Sequence, residues 1–114
     1  ICDRFHYSTL VYQGLAVKNK QVIELHNVLN EYFSRKISLI IHLDASIKTC
    51  LSRISSRKVS DKFEKQGEDF LIKVKDSYIK AFKDNEKVAT IMTDNDKSVV
   101  WKNIKKQIDS LLND

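Results

Sequence analysis

The chain contains no proline and only two glycines, Gly14 and Gly67, so no flexible linker divides it. It has two cysteines, Cys2 and Cys50, far apart and without metal-ligand spacing. They read as buried, reduced thiols of a cytoplasmic protein and not as a disulfide framework. No apolar run approaches the roughly 20 residues that span a bilayer, and no stretch resembles a signal peptide. The three histidines, His6, His26 and His42, share no spacing and no acidic partner, so no metal site is expected. There is no Gly-x-Ser-x-Gly and no Cys/His pairing for covalent catalysis. Internal repeats, low-complexity tracts and dense basic runs interleaved with aromatics are also absent.

What remains is the composition of one small globular domain. Of 114 residues, 42% are hydrophobic and 31% charged. That excludes a disordered chain and permits a modest core, read as a single domain over residues 1–114. Twenty Lys and Arg against 15 Asp and Glu give a net charge of +5. The lysines are scattered among acids, as on solvated helix faces. Attraction to a nucleotide polyphosphate accounts for the bias as well as nucleic acid does, and nucleic acid is not an expected partner.

Apolar periodicity predicts alternating helices and strands. Residues 1–3 read as a strand end and Thr9 to Ala16 as a short helix ending near Gly14. A longer helix is expected over about 19–34, with Val22, Leu25, Leu29, Tyr32 and Phe33 on one stripe. Ser38 to Leu43 reads as a strand buried on both faces. An Asp44-Ala45-Ser46 cap then precedes a helix carrying Ile47, Cys50, Leu51 and Ile54. Ser55 to Gly67 has no apolar period and reads as a mobile, partly helical segment. Glu68 to Lys83 is amphipathic, with Phe70, Val74, Tyr78 and Ala81 along one side. Val88 to Met92 reads as a strand, Thr93 to Asp96 as a turn and cap, and Lys97 to Leu112 as the closing helix. Its inward set is Val100, Trp101, Ile104, Ile108 and Leu111. This order predicts an α/β fold with a parallel sheet flanked by helices. Two full strands and a stub make the sheet incomplete.

The chemistry concentrates in residues 3–14, DRFHYSTLVYQG. A guanidinium offers a rigid fork that grips two phosphate oxygens. Asp3 beside Arg4 can hold that fork or lie near a metal ion. On a helical turn Thr9, Tyr12 and Gln13 share a face at i, i+3 and i+4, lining one wall of a pocket. A hydroxyl and an amide can bond the edge of a pyrimidine, and a tyrosine can pack against a sugar. Gly14 either permits close backbone approach or ends a turn.

The run closely resembles the D-R-(Y/F/H)-x-x-S-T-x-x-Y-Q-G motif of thymidylate kinases, matched by Asp3, Arg4, Phe5, Ser8, Thr9, Tyr12, Gln13 and Gly14. The resemblance implies the C-terminal part of a P-loop nucleoside monophosphate kinase fold that phosphorylates dTMP to dTDP with Mg2+ and ATP. Arg4 would clamp the acceptor phosphate, while Asp3 would orient it and lie near the magnesium water shell. Thr9, Tyr12 and Gln13 would face the nucleoside. Ser8 falls in the same substrate-binding set, although with Phe5 it also reads as shaping the loop.

The resemblance extends to a lid over about residues 53–67, where Asp61-Lys62-Phe63-Glu64 stands against a family pattern D-R-(I/F)-E. Arg53 and Arg57 are the expected transition-state donors there. Lysine at 62 cannot make the arginine fork. Asp94 and Lys97, after the last strand, lie where related kinases bind adenine. The family's G-x-x-x-x-G-K-(S/T) loop is absent from the 114 residues, which implies an N-terminal part elsewhere and an inactive isolated piece. A homodimer through the 19–34 helix is also implied. The alternatives are a deoxynucleoside kinase-like protein and a non-catalytic basic nucleic-acid-binding module.

Overall fold

The computed structural model describes residues 1–55 and 61–113, with the backbone alone for 61–66. Helix α1 (His6–Thr9) runs straight into a π-helical stretch (Leu10–Leu15). There follow α2 (Lys20–Phe33), β1 (Ile40–Asp44), α3 (Ile47–Ser55), α4 (Asp61–Phe82), β2 (Val88–Met92) and α5 (Lys97–Leu112). The two strands pair in parallel, from Ile40 opposite Val88 to Asp44 opposite Met92. Past the last pair, Thr93 donates its N–H to the Asp44 carbonyl at 2.7 Å.

Local chemistry explains most boundaries. Asn19 caps α2, its side-chain oxygen accepting from the N–H groups of Gln21 and Val22 at 3.1 and 3.3 Å. Ser46 caps α3 by accepting from the Thr49 N–H at 3.2 Å. The carbonyl of Asp96 receives the Val99 and Val100 N–H groups, while its side chain makes no cap bond. Strand β2 and helix α5 match the ranges expected from periodicity.

Several expectations are corrected. Residues 1–3 form no strand, since among the described residues only β1 and β2 pair. The first helix starts at His6, three residues earlier than predicted, and changes winding at Leu10. Helix α4 starts at Asp61, because lysine, glutamate and glutamine extend a helix without any apolar stripe. The lid range of 53–67 therefore divides between the end of α3, residues 56–60 outside the described set, and the first turns of α4. Leu43 is 54% exposed, so β1 is not buried on both faces. The two cysteines are free, as expected, but Cys2 is exposed and Cys50 only half-buried.

The inward face of α2 also differs from the predicted stripe. His26 is buried, Val22, Ile23, Asn30 and Phe33 are half-buried, and Leu25, Val28, Leu29 and Tyr32 face outward. On α5, Val100, Ile104 and Ile108 are half-buried, whereas Trp101 and Leu111 are exposed. Periodicity finds an apolar stripe but not which neighbour covers it.

The packed centre lies where α2 and α4 meet the first segment. Leu10, Val11 and Val74 are buried there, and Ile91 is buried on β2. Gly14 is part of this contact. A Cβ added to it would sit 3.3 Å from side-chain carbons of both Val22 and Ile23. Gly14 is inside the π-helical stretch and has no positive φ, so it neither ends the helix nor makes a left-handed turn. It lets α2 approach.

Candidate functional site

The first group of site residues is built by the winding of residues 6–15. In the π-helical stretch, N–H groups reach back five residues, from Ala16 to the Val11 carbonyl at 2.9 Å and from Asn19 to Gly14 at 2.8 Å. Leu10, Val11 and Gly14 turn inward and Tyr12 is half-buried, leaving Thr9 and Gln13 exposed. The three-residue face expected from α-helical spacing is thus split. Thr9 and Gln13 stand open while Tyr12 leans against α4.

Arg4 has φ of +61°. A non-glycine residue in that region carries strain on the order of 1–3 kcal/mol, and such residues cluster at functional sites. Its guanidinium carbon lies 5.4 Å from the centre of the Tyr12 ring, within cation–π range. Asp3 does not hold it: among the described residues the Asp3 carboxylate has no hydrogen bond or ion pair, and it is exposed. The contact that the Arg4 guanidinium makes among the described residues is with the Tyr12 ring.

Tyr12 is bracketed by two rings of α4, Phe70 at 6.0 Å and Tyr78 at 6.3 Å between centroids. The Tyr78 hydroxyl lies 3.1 Å from that of Ser8. Ser8 is therefore engaged with the protein. Nothing in local spacing links position 8 to position 78, and the apolar stripe of α4 reveals the rings without revealing the hydroxyl's partner.

A second group stands at the carboxyl ends of the strands, where ligands of open α/β sheets bind. Asp94 accepts from the Ser46 N–H at 3.2 and 3.3 Å, and its Oδ1 lies 3.1 Å from Ser46 Oγ. The Thr49 hydroxyl, followed by the Ser46 N–H, holds the Asp94 carboxyl below its ordinary value. Arg53, in the last turn of α3, donates to both the hydroxyl and the carbonyl of Thr93. Lys75 of α4 donates to the Ala45 carbonyl at 3.0 Å and lies 3.7 Å from the Asp44 carboxylate. Lys97 is exposed at the start of α5. Arg53 and Asp94 thus share one corner, while Arg4, Ser8 and Tyr12 share another. Arg57 lies outside the described residues, as do the side chains of Asp61, Lys62, Phe63 and Glu64.

An open groove of about 290 Å³ lies beside the strands, lined by His42, Asp44, Val88 and Thr90 and by Tyr78 and Phe82 of α4. Burial lowers the His42 pKa, with Asp44 opposing and Lys75 adding to the shift. Two of the histidines meet, a contact that their sequence spacing does not reveal. His6 and His26 stack with centroids 5.1 Å apart, and each has a buried Nδ1 without a hydrogen-bond partner among the described residues. Burial, then His6, lowers the His26 pKa. Among the described residues no three or more His, Cys, Asp or Glu side chains converge as a metal site.

Two parallel strands joined through helices, with polar clusters at the strand ends, make an α/β arrangement with an incomplete sheet, and the family that the chain matches implies that it is part of a P-loop nucleoside monophosphate kinase fold. A family model for thymidylate kinase matches residues 1–104. The chain is 39% identical over 80 residues to a thymidylate kinase of Rickettsia bellii (strain OSU 85-389), covering 68% of this chain and 38% of that protein. It is 30% identical over 115 residues to the thymidylate kinase of Thermosipho melanesiensis, covering 98% of this chain and 56% of the relative. No solved structure gives a significant match. The chain belongs to the thymidylate kinase family, and it spans between about two fifths and just over half of the length of these relatives.

Proposed function

We propose that these residues are part of a cytoplasmic enzyme that transfers the terminal phosphoryl group of Mg·ATP to dTMP, giving dTDP for dTTP synthesis. The observation that carries this reading is Arg4, held in a left-handed backbone with its guanidinium over Tyr12, beside the open side chains of Thr9 and Gln13. Phosphoryl transfer needs positioning and charge stabilisation more than covalent chemistry. In the reading, Arg4 grips two oxygens of the acceptor phosphate and sets its third in line with the donor phosphorus. Tyr12 packs on the deoxyribose, Thr9 and Gln13 meet the pyrimidine edge, and Ser8 braces the segment. The solvent-facing Asp3 carboxylate is left for the water shell of magnesium.

Arg53 and Arg57 are assigned to the lid as donors to the transferring group, with Arg53 leaving Thr93 to act. Asp94 and Lys97 flank the adenine side. No described cluster would hold a metal alone, so magnesium is read as travelling with ATP, and no step is assigned to a metal bound by this chain. The amides that hold the ATP phosphates are assigned to polypeptide outside these residues, and the 114 residues alone are expected to be inactive. An accessible surface of 8992 Å² supports further covering polypeptide. A compact monomer of 13.3 kDa exposes about 6,500 Å². A homodimer through the outward Leu25, Val28, Leu29 and Tyr32 of α2 fits the same excess, and Val28→Glu should shift sedimentation to the monomer.

The deciding experiment measures ADP formation by the full-length enzyme with dTMP and with thymidine. Turnover with dTMP alone is expected. A preference for thymidine would assign the site to nucleosides, and ordinary turnover by the isolated 114 residues would overturn the division of labour.

A further inference from the structure

The α4 helix packs on the acceptor segment, and one of its side chains also reaches β1. Tyr78 lies 5.1 Å from His42 of β1 and 5.7 Å from Phe82, ring centre to ring centre. On its other side its ring meets Tyr12 edge-on at 6.3 Å, and its hydroxyl is 3.1 Å from Ser8 Oγ. Ser8 is four residues from Arg4 and four from Tyr12, the midpoint of the stretch that carries both. His42 is two residues before Asp44, where the strand opens onto the second polar corner.

A phenylalanine at 78 would fill the same space and make the same ring contacts. What tyrosine adds is one hydroxyl, and its hydrogen-bond partner among the described residues is Ser8. A half-buried hydroxyl pair of this kind contributes little to net stability but fixes a relative position, because breaking it leaves a polar group short of a partner. Near the strained Arg4 backbone such a fixed point has a use. The guanidinium grips a phosphate productively only if its segment keeps its place relative to the sheet, and displacements near 1 Å cost catalysis heavily.

We propose that Tyr78 is a positioning residue for the acceptor pocket. Its hydroxyl locks Ser8 and its ring backs Tyr12, so that α4 sets the place of Arg4 and Tyr12 relative to the end of β1. The inference rests on the dTMP kinase reading and adds to it a residue that touches no substrate.

The test is a double-mutant cycle in the full-length enzyme with Tyr78→Phe, Ser8→Ala and the double variant. Each single change should raise the dTMP KM about fivefold with the ATP KM unchanged. The double variant should be no worse than either single, because both remove the same bond. Ser8→Ala probes that bond from the exposed segment, so the result does not depend on the packing of position 78. An unmoved dTMP KM, a parallel rise in the ATP KM, or multiplicative effects in the double variant would each overturn the proposal. Multiplicative effects would mean that Ser8 acts on the substrate by itself. Wild-type turnover with dTMP is measured first. Its absence defeats the functional reading and the proposal together, whereas an active wild type with unmoved variants defeats the proposal alone.

Discussion

The Arg4 guanidinium rests on the face of the Tyr12 ring, eight residues further along the chain, at 5.4 Å. In the proposed reading the contact orients the fork without consuming its hydrogen-bond donors, leaving them for a phosphate. Arg4→Ala in the full-length enzyme should lower kcat/KM for dTMP by about 100-fold or more. Each charged hydrogen bond is worth about 1.5–3 kcal/mol and two are lost. Arg4→Lys should recover only part, since an ammonium lacks the fork. Steady-state kinetics at saturating ATP provide the check, and an unchanged kcat/KM in Arg4→Ala would remove the central residue of the reading.

Gly14 sets how near α2 comes to the π-helical segment. Val22 and Ile23 are β-branched and cannot swing aside cheaply, so a side chain at 14 must separate the two elements. Gly14→Val should destabilise the protein by about 2 kcal/mol, the usual cost of overpacking. Gly14→Ala should be close to neutral, because its crowding at 3.3 Å is offset by the roughly 0.5–1 kcal/mol gained when a helical glycine is replaced. Urea unfolding of the two variants distinguishes this from a glycine needed only for backbone conformation.

His26 should make stability fall on the acid side of neutrality. Its pKa is lowered in the fold, so below the ordinary value of 6.5 the unfolded chain binds a proton that the folded chain resists. Stability then declines as pH drops from about 6.5, until pH passes the lowered folded value. His26→Phe keeps the aromatic packing beside His6 and Tyr7 and removes this dependence. His42 shifts in the same direction, so some slope should persist in the variant. Chemical denaturation at several pH values between 5 and 8 measures both. A variant curve as steep as the wild type would contradict the assignment.

Asp94 acts in a separate, more acidic window. Its pKa is lowered below 3.8, so its contribution is fully present above that value and is lost as pH falls through the folded pKa. Asp94→Asn should flatten only this limb of the curve. It should also loosen the tie between the loop after β2 and the cap of α3, seen as faster amide exchange at Ser46.

Element order was legible because its signals are local. A Val88–Met92 apolar run, an Asp44-Ala45-Ser46 cap and the stripes of the longer helices each act within a few residues. The motif at 3–14 was legible for the same reason. Contacts spanning the chain were not. Ser8 to Tyr78, Ser46 to Asp94 and His6 to His26 depend on how helices dock, and each partner alone looks like an ordinary polar residue. The outward turn of Leu25 and Trp101 was missed likewise, since an apolar stripe marks a covered face without naming its cover. The π winding left no trace, because its residues satisfy an α-helical pattern equally well.

That winding has a geometric consequence for the corner that holds Arg4 and Tyr12. A turn closed from residue 16 back to 11 encloses one residue more than an α turn, and so acts as a spacer between Arg4 and the body of the protein. Rewinding these six residues as an α-helix, with none removed, would rotate everything upstream by about 100° about the axis. Arg4 would then face away from Tyr12, with every side chain that builds the corner still present.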